Sequence, residues 1–320
     1  MKQLLSHLKP YLRWIVIGLT LFFLAHAFRD NWQEISEIQI TRAGWTCLVL
    51  ALAVTTSAHL WSGWVWLLIL REFQQPVEQR WGMQVYLKTN IAKYLPGNVW
   101  HFYGRISAVN KVGVSLGIAV ISVLLEPILM ASAALMITII SIQRHQYLGL
   151  QLVSLALILF LVHPRVLNPV IQKLSKLKLK KSAAQDSSEP VREWDVDPSD
   201  HKLERYPLRP FLGEVGFVSL RGIGFLLTLL ALIPFTVDQI PLLVGAYSFA
   251  WLLGLVIPGA PGGLGVFEAT TLTLLDQHFS SGVLLSAVAF YRLVSVLAET
   301  SGAVFAGLDE RLLGSRKPIV

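Results

Sequence analysis

Apolar runs long enough to cross the roughly 30 Å hydrocarbon core of a bilayer, which takes about 20 helical residues, recur along this chain. They extend over Tyr11 to Phe28, Gly44 to Leu70, Ile118 to Ile142, Tyr147 to Val162, Phe211 to Phe235, Ile240 to Ile257 and Gly282 to Gly307. Charged residues make up only 15% of the 320, and mean hydropathy is +0.57, where a soluble domain carries about 25% charge. The composition predicts an all-α, polytopic integral membrane protein. A transmembrane β-barrel would need segments of about 10 residues with strict alternation, and Leu155 to Val162 does not alternate.

Charge position then orients the spans. The net charge of +7 and pI near 9.5 come from Lys and Arg clustered beside the apolar runs, which marks cytoplasmic loops rather than a nucleic-acid surface. Arg29 to Arg42 balances two Arg against Asp30, Glu34 and Glu37 and suits the outer side. Arg71 to Lys111, with Arg80, Lys88, Lys93 and Arg105, suits the inner side. Arg311, Arg316 and Lys317 place the C-terminus inside, so the number of crossings must be even if the N-terminus is also inside. The seven runs therefore need one more crossing, for which only Gly262 to Gln277 is available. The count becomes about eight, with a seven-span re-entrant version as the alternative. Tyr11 to Phe28 ends in Ala25-His26-Ala27, the outline of a signal-peptide cleavage site, but its length favours an uncleaved first span. The one cysteine, Cys47, excludes an internal disulfide and any multi-cysteine metal site.

Three parts follow from this pattern: an N-terminal membrane half (residues 1–163), a hydrophilic linker (164–210) and a C-terminal membrane half (211–320). The linker begins with a polybasic stretch, Lys173 to Lys181, suited to an anionic leaflet or simply to retention inside. It continues through a Ser-, Asp-, Glu- and Pro-rich stretch with the composition of a disordered segment.

Each half contains a break. In the first, WGMQVYLKTNIAKYLPGNVWHFYGR is too polar to span and too aromatic for an ordinary loop, which predicts an interfacial or re-entrant piece around residues 90–105. In the second, VIPGAPGGLGVFE (257–268 at its centre) interrupts an apolar run with Pro258, Gly259, Pro261, Gly262, Gly263 and Gly265, followed by Glu268. Pro removes a hydrogen-bonded turn and Gly admits unusual backbone angles, so both breaks free polar backbone groups. A helix restarting at Gly263 or Leu264 would direct its positive end into the membrane. YLPGNVW around Pro96 and Gly97 echoes VIPGAPGG, and Ser122 to Glu126 (SVLLE) echoes Ser295 to Glu299 (SVLAE). A two-repeat architecture is the expectation, with a site where the broken helices meet.

Charges inside apolar spans are costly and face a partner or a wet cavity. They are Glu126, Glu214, Arg221, Glu268, Arg292 and Glu299. Glu214 and Arg221, like Arg292 and Glu299, are seven residues apart, too far for direct contact in most rotamers. Each then meets something between helices: an opposite charge on another span, water or a ligand. Lys93 and Arg105 flank the first break among Tyr94, Trp100, His101, Phe102 and Tyr103, a basic and aromatic set suited to lipid headgroups or to interfacial anchoring. No GxxxxGK[ST], HExxH, HxxxH or GxSxG pattern occurs, so no nucleotide or metal cofactor and no serine nucleophile is expected.

KYLPGNVW with Gly104-Arg105, Glu126 in the next span and IPGAPGGLGVFE resemble the lysylphosphatidylglycerol synthase transmembrane-region family over nearly the whole chain. That family includes the flippase half of the bacterial multiple peptide resistance factor. The resemblance implies a multi-pass protein of the cytoplasmic membrane, both termini inside, that moves a phospholipid or lipid-linked headgroup between leaflets. It implies aminoacyl transfer only in a separate soluble domain, which the chain is expected to lack. The substrate-binding set expected on this basis is Lys93, Pro96, Gly97, Arg105, Glu126, Pro258, Gly259, Pro261, Gly262, Gly263, Gly265, Glu268, Arg292 and Glu299. Arg105, Lys93 and Arg292 would attract an anionic headgroup; the three glutamates would balance them, meet a cationic headgroup or carry a proton. Partners are then membrane lipids, anionic or aminoacylated, together with a second copy of the chain or a lipid-synthesis enzyme. A membrane-embedded headgroup transferase and a non-catalytic partner of a lipid-modifying enzyme are the competing expectations.

Overall fold

The structure, a computed structural model, describes residues 29, 32–75, 77–94, 99–141, 148–161, 163–166, 168–169, 203, 205–257, 263 and 265–313. Among these residues there are helices and no strand. The expected first span, most of the hydrophilic linker with its polybasic stretch, and Arg316 and Lys317 lie outside them. In chain order the helices are α1 (Trp32–Glu37), α2 (Arg42–Glu72), α3 (Gln79–Asn90), a 3-10 turn (Ile91–Tyr94), α4 (Trp100–Lys111), α5 (Leu116–Ser141) and α6 (Leu148–Leu161). They continue with α7 (Leu208–Leu230), a 3-10 turn (Val237–Gln239), α8 (Ile240–Val256), α9 (Val266–Leu275) and α10 (Ser281–Leu313).

Among the described residues, five helices are long and apolar enough to cross a membrane: α2, α5, α7, α8 with its leading 3-10 turn, and α10. They coincide with five of the runs read from the sequence. Their outer faces are apolar, as at Val49, Ile140, Val304 and Phe305, because lipid and protein interior both accept hydrocarbon. α6 has 14 residues and reaches only about 21 Å. α9 has 10 residues, about 15 Å, short as expected of Gly262 to Gln277, which has to start within the membrane after the break. That length fits both such a partial crossing and the re-entrant alternative.

α3 and α4 have 12 residues each, about 18 Å, and pack on each other. They form a pair of half-length helices around the first break, as the polar, aromatic sequence requires. Around the second break α8, long enough to cross, packs on the short α9.

The packing partners are reciprocal. α5 lies against α8 as α10 lies against α3, and α5 lies against α7 as α10 lies against α2. α4 meets α5 as α9 meets α10, while α2 and α7 pack on each other. Exchanging α2–α5 for α7–α10 maps each of these contacts onto another, the pattern of a two-repeat bundle. At the α2–α7 seam a methyl group at Gly213 would come within 2.6 Å of the Val65 side chain, and one at Gly224 within 2.5 Å of Thr55 Oγ1. Small residues thus let the central helices approach closely, and dispersion contacts hold them where no hydrophobic effect operates. The Trp61 indole donates to the Gly213 carbonyl at 2.7 Å across the same seam. Phe225, Tyr247, Phe267 and Tyr291 join α7, α8, α9 and α10 through ring contacts with centroids 5.3 to 6.1 Å apart.

Candidate functional site

Three groups of buried charges sit where the broken pairs meet the long helices. The first joins α4 to α5. Glu126 precedes Pro127, which lies inside α5 and withholds one backbone hydrogen bond from the helix. The Glu126 carboxylate accepts from Arg105 through Oε2 and from the Tyr86 hydroxyl through Oε1, the latter at 2.6 Å. The side chains of this ion pair are each 3% exposed. Tyr86 also shares a hydrogen bond of 2.6 Å with Ser62, and its ring lies 4.0 Å beneath the Arg105 guanidinium. Arg105 was expected at the lipid interface but is enclosed by protein, because His101, Arg105 and Val109 share the inner face of α4 while Trp100 and Tyr103 take the outer one. Glu214 on α7 lies within electrostatic reach of both Glu126 and Arg105. It is fully buried, and neither of its carboxylate oxygens has a hydrogen-bond partner.

The second group closes the break between α8 and α9. Gly265 is the N-cap of α9 and has φ +83°, and Gly263 has φ +70°; both are conformations that side chains resist. A methyl group on Gly263 would also stand 2.8 Å from the Gly254 carbonyl oxygen on α8, so the chain folds back on α8 only because no side chain is present. α9 begins at Val266, two residues later than a restart at Leu264. Glu268 is then the third residue of the helix, and its Oε2 accepts from the Gly265 N–H at 2.5 Å, satisfying an otherwise unpaired backbone donor at the helix start. Its Oε1 accepts from Arg292 Nε on α10 at 2.8 Å, and Arg292 Nη2 donates to the Gly263 carbonyl at 3.1 Å. Arg292 therefore clamps the break to α10.

The third group bridges the halves. Glu299 on α10, 2% exposed, accepts from Lys93 Nζ of the first break at 2.5 Å and lies 3.2 Å from His59 Nε2 on α2. The same His59 nitrogen is 3.4 Å from Arg221 Nη1 on α7. Arg221 lies 5.0 Å over the Tyr291 ring, and the Tyr291 hydroxyl pairs with Tyr247 at 2.9 Å.

Glu126, Glu268, Glu299, Arg292, Arg105 and Lys93 are thus brought into ion pairs between elements; Arg292 and Glu299 each pair with another element, whereas Arg221 meets His59 and Tyr291 and Glu214 keeps both carboxylate oxygens without a hydrogen-bond partner. Gly263 and Gly265 lie at the second pair. Pro96, Gly97, Pro258, Gly259, Pro261 and Gly262 lie outside the described residues. Sequence reasoning missed His59, Tyr86, Tyr247 and Tyr291. The signal for His59 was available: an ionisable side chain within an apolar span is itself a site candidate. No group of three His, Cys, Asp or Glu suited to a metal occurs among the described residues.

A multi-pass helical membrane bundle with two broken-helix pairs and buried charges at both breaks is the class these features define. The sequence matches the model of the family described as "Lysylphosphatidylglycerol synthase TM region" over residues 13–300, and the chain belongs to that family. No curated protein matches the chain.

Proposed function

We propose that this protein is a lipid translocase of the cytoplasmic membrane, with both termini on the cytoplasmic side, moving a phospholipid or lipid-linked headgroup between leaflets without covalent chemistry. Membership of a lipid-related membrane family supports the class of substrate. The observation that carries the reading is the Lys93–Glu299 ion pair, which joins the first break to α10 across the two halves. Buried ionisable groups at the junction of broken helices are what a polar headgroup needs in order to pass hydrocarbon, because they replace its lost hydration. The two halves, residues 1–163 and 211–320, would supply the two walls of the path.

Reconstitution of the purified chain into vesicles containing labelled phosphatidylglycerol or its lysyl ester tests the proposal. Movement faster than in protein-free vesicles is expected, and slower movement with Glu268→Gln or Arg292→Ala at unchanged folded yield. Rates equal to protein-free vesicles for both lipids would sink the reading.

A further inference from the structure

Counting charge around the third group exposes an imbalance. Arg105 has Glu126 and Arg292 has Glu268. Lys93 and Arg221 have only Glu299 between them, and Glu299 contacts Lys93 and His59 rather than Arg221. Arg221 is 7% exposed, and no carboxylate among the described residues lies within 4 Å of it. Its close neighbours are neutral or aromatic, the Tyr291 face and the Tyr247 hydroxyl, and Glu299 acts on it only from beyond contact distance while bound to Lys93. His59 Nε2 cannot serve both sides, since a nitrogen that donates its proton to Glu299 has no lone pair for Arg221. Whatever the protonation of His59, cations outnumber Glu299 by at least one.

A buried guanidinium that must share one carboxylate with a second cation is unfavourable, and ionisable groups placed within a membrane face a partner or a substrate pathway. The cluster comes to the protein surface at its Lys93 end. Lys93 and Tyr94 lie within electrostatic reach of Arg221, the Lys93 side chain is partly exposed, and Tyr94 is exposed. We infer that Arg221, with Lys93 beside it, is the seat of an anionic phosphodiester, the headgroup phosphate of the lipid. One monoanion neutralises the surplus charge, and the planar guanidinium suits two phosphate oxygens at once. Glu299 then sets the strength of the seat by holding Lys93 back from the phosphate. This rests on the translocase reading for the lipid source, though not for the anion chemistry.

Equilibrium binding to the full-length protein in detergent micelles tests the inference, with phosphatidylglycerol, diacylglycerol of the same chains and inorganic phosphate as separate probes. Wild type should bind phosphatidylglycerol in preference to diacylglycerol. Arg221→Gln should weaken phosphatidylglycerol binding about tenfold or more, as expected for loss of a charge-assisted contact, with Arg221→Lys intermediate. Glu299→Gln removes the restraining charge and should tighten binding, which also decides the matter if Arg221→Gln fails to fold. Unchanged affinity in folded Arg221→Gln overturns the inference, as does unchanged or weaker binding by Glu299→Gln. Binding of inorganic phosphate without phosphatidylglycerol overturns the lipid assignment. Selective lipid binding with the expected variant effects, but no movement in vesicles, supports this seat while defeating the translocase reading.

Discussion

The two breaks solve the same problem with opposite polarity. After the first, the second short helix contributes a base, Arg105, to an acid on the next long helix, Glu126; after the second, it contributes an acid, Glu268, to a base, Arg292. The pairs also differ in setting. Arg105–Glu126 is sealed, roofed by Tyr86 and tied to Ser62, whereas Arg292 keeps 28% of its side chain exposed and grips the backbone of the break itself. The first pair fixes helices that are already formed. The second holds a reversal of the chain, so its rupture would release the turn. The first break is held rigidly from inside, and the second by a partly exposed contact on its own backbone.

The comparison is most easily broken at the sealed pair. Glu126→Gln leaves Arg105 buried without its charge partner and should destabilise the protein by about 3–5 kcal/mol, the usual cost of halving a buried pair. Thermal unfolding in detergent measures it, and a melting temperature matching wild type would show that water reaches the pair. Next is Gly263→Ala, which sets a methyl group against the Gly254 carbonyl and forces an unfavourable φ. A loss of about 2 kcal/mol is expected, with slowed lipid movement. Full stability in this variant would show that the close approach of α8 and the turn is dispensable.

The carbon skeleton of this comparison was legible in the sequence, and its pairing was not. Apolar run lengths fixed five spans, and the interruption of those runs by polar or Pro/Gly segments located both breaks, since each is a local property. Glu126, Glu268, Arg292 and Glu299 stood out because a charge in hydrocarbon always needs a reason. Partner choice is not local: Lys93 and Glu299 are 206 residues apart, and no spacing rule connects them. Arg105 is the instructive case. Its proximity to aromatic residues suggested an interface, yet the four-residue spacing of His101, Arg105 and Val109 already placed it on one helical face, opposite Trp100 and Tyr103. The α9 restart lies two or three residues beyond Leu264 or Gly263 because the turn continues through Gly263 and Gly265, both at positive φ, and Gly265 is the cap.

A subtler variant sharpens the contrast. Glu268→Gln retains an oxygen for the Gly265 N–H but loses its charge on Arg292, which remains partly solvated. A loss of about 1 kcal/mol is expected, clearly less than for Glu126→Gln in the same assay. Lipid movement should fall more than this stability change explains. Equal destabilisation by the two substitutions would remove the distinction between the sealed pair and the partly exposed one.

The smallest effect belongs to a third pair, which shows what such contacts do at the surface. Arg80 on α3 grips Asp309 on α10 with Nε and Nη2 at 2.7 and 2.6 Å, and Gln84 donates to the same carboxylate at 2.6 Å. Lys88, two turns further along α3, pairs with Glu310, the residue after Asp309. The Asp309 hydrogen bonds raise the Arg80 guanidinium above its ordinary pKa, so it stays charged across any working pH. Because the pair faces solvent, water and salt replace most of what the contact provides. Arg80→Gln should therefore barely move the unfolding transition, and what it does move should vanish in high salt, while Glu126→Gln keeps its deficit there. A salt-insensitive loss for Arg80→Gln as large as that for Glu126→Gln would mean that the α3–α10 contact, not burial of the charges, ties the two halves together.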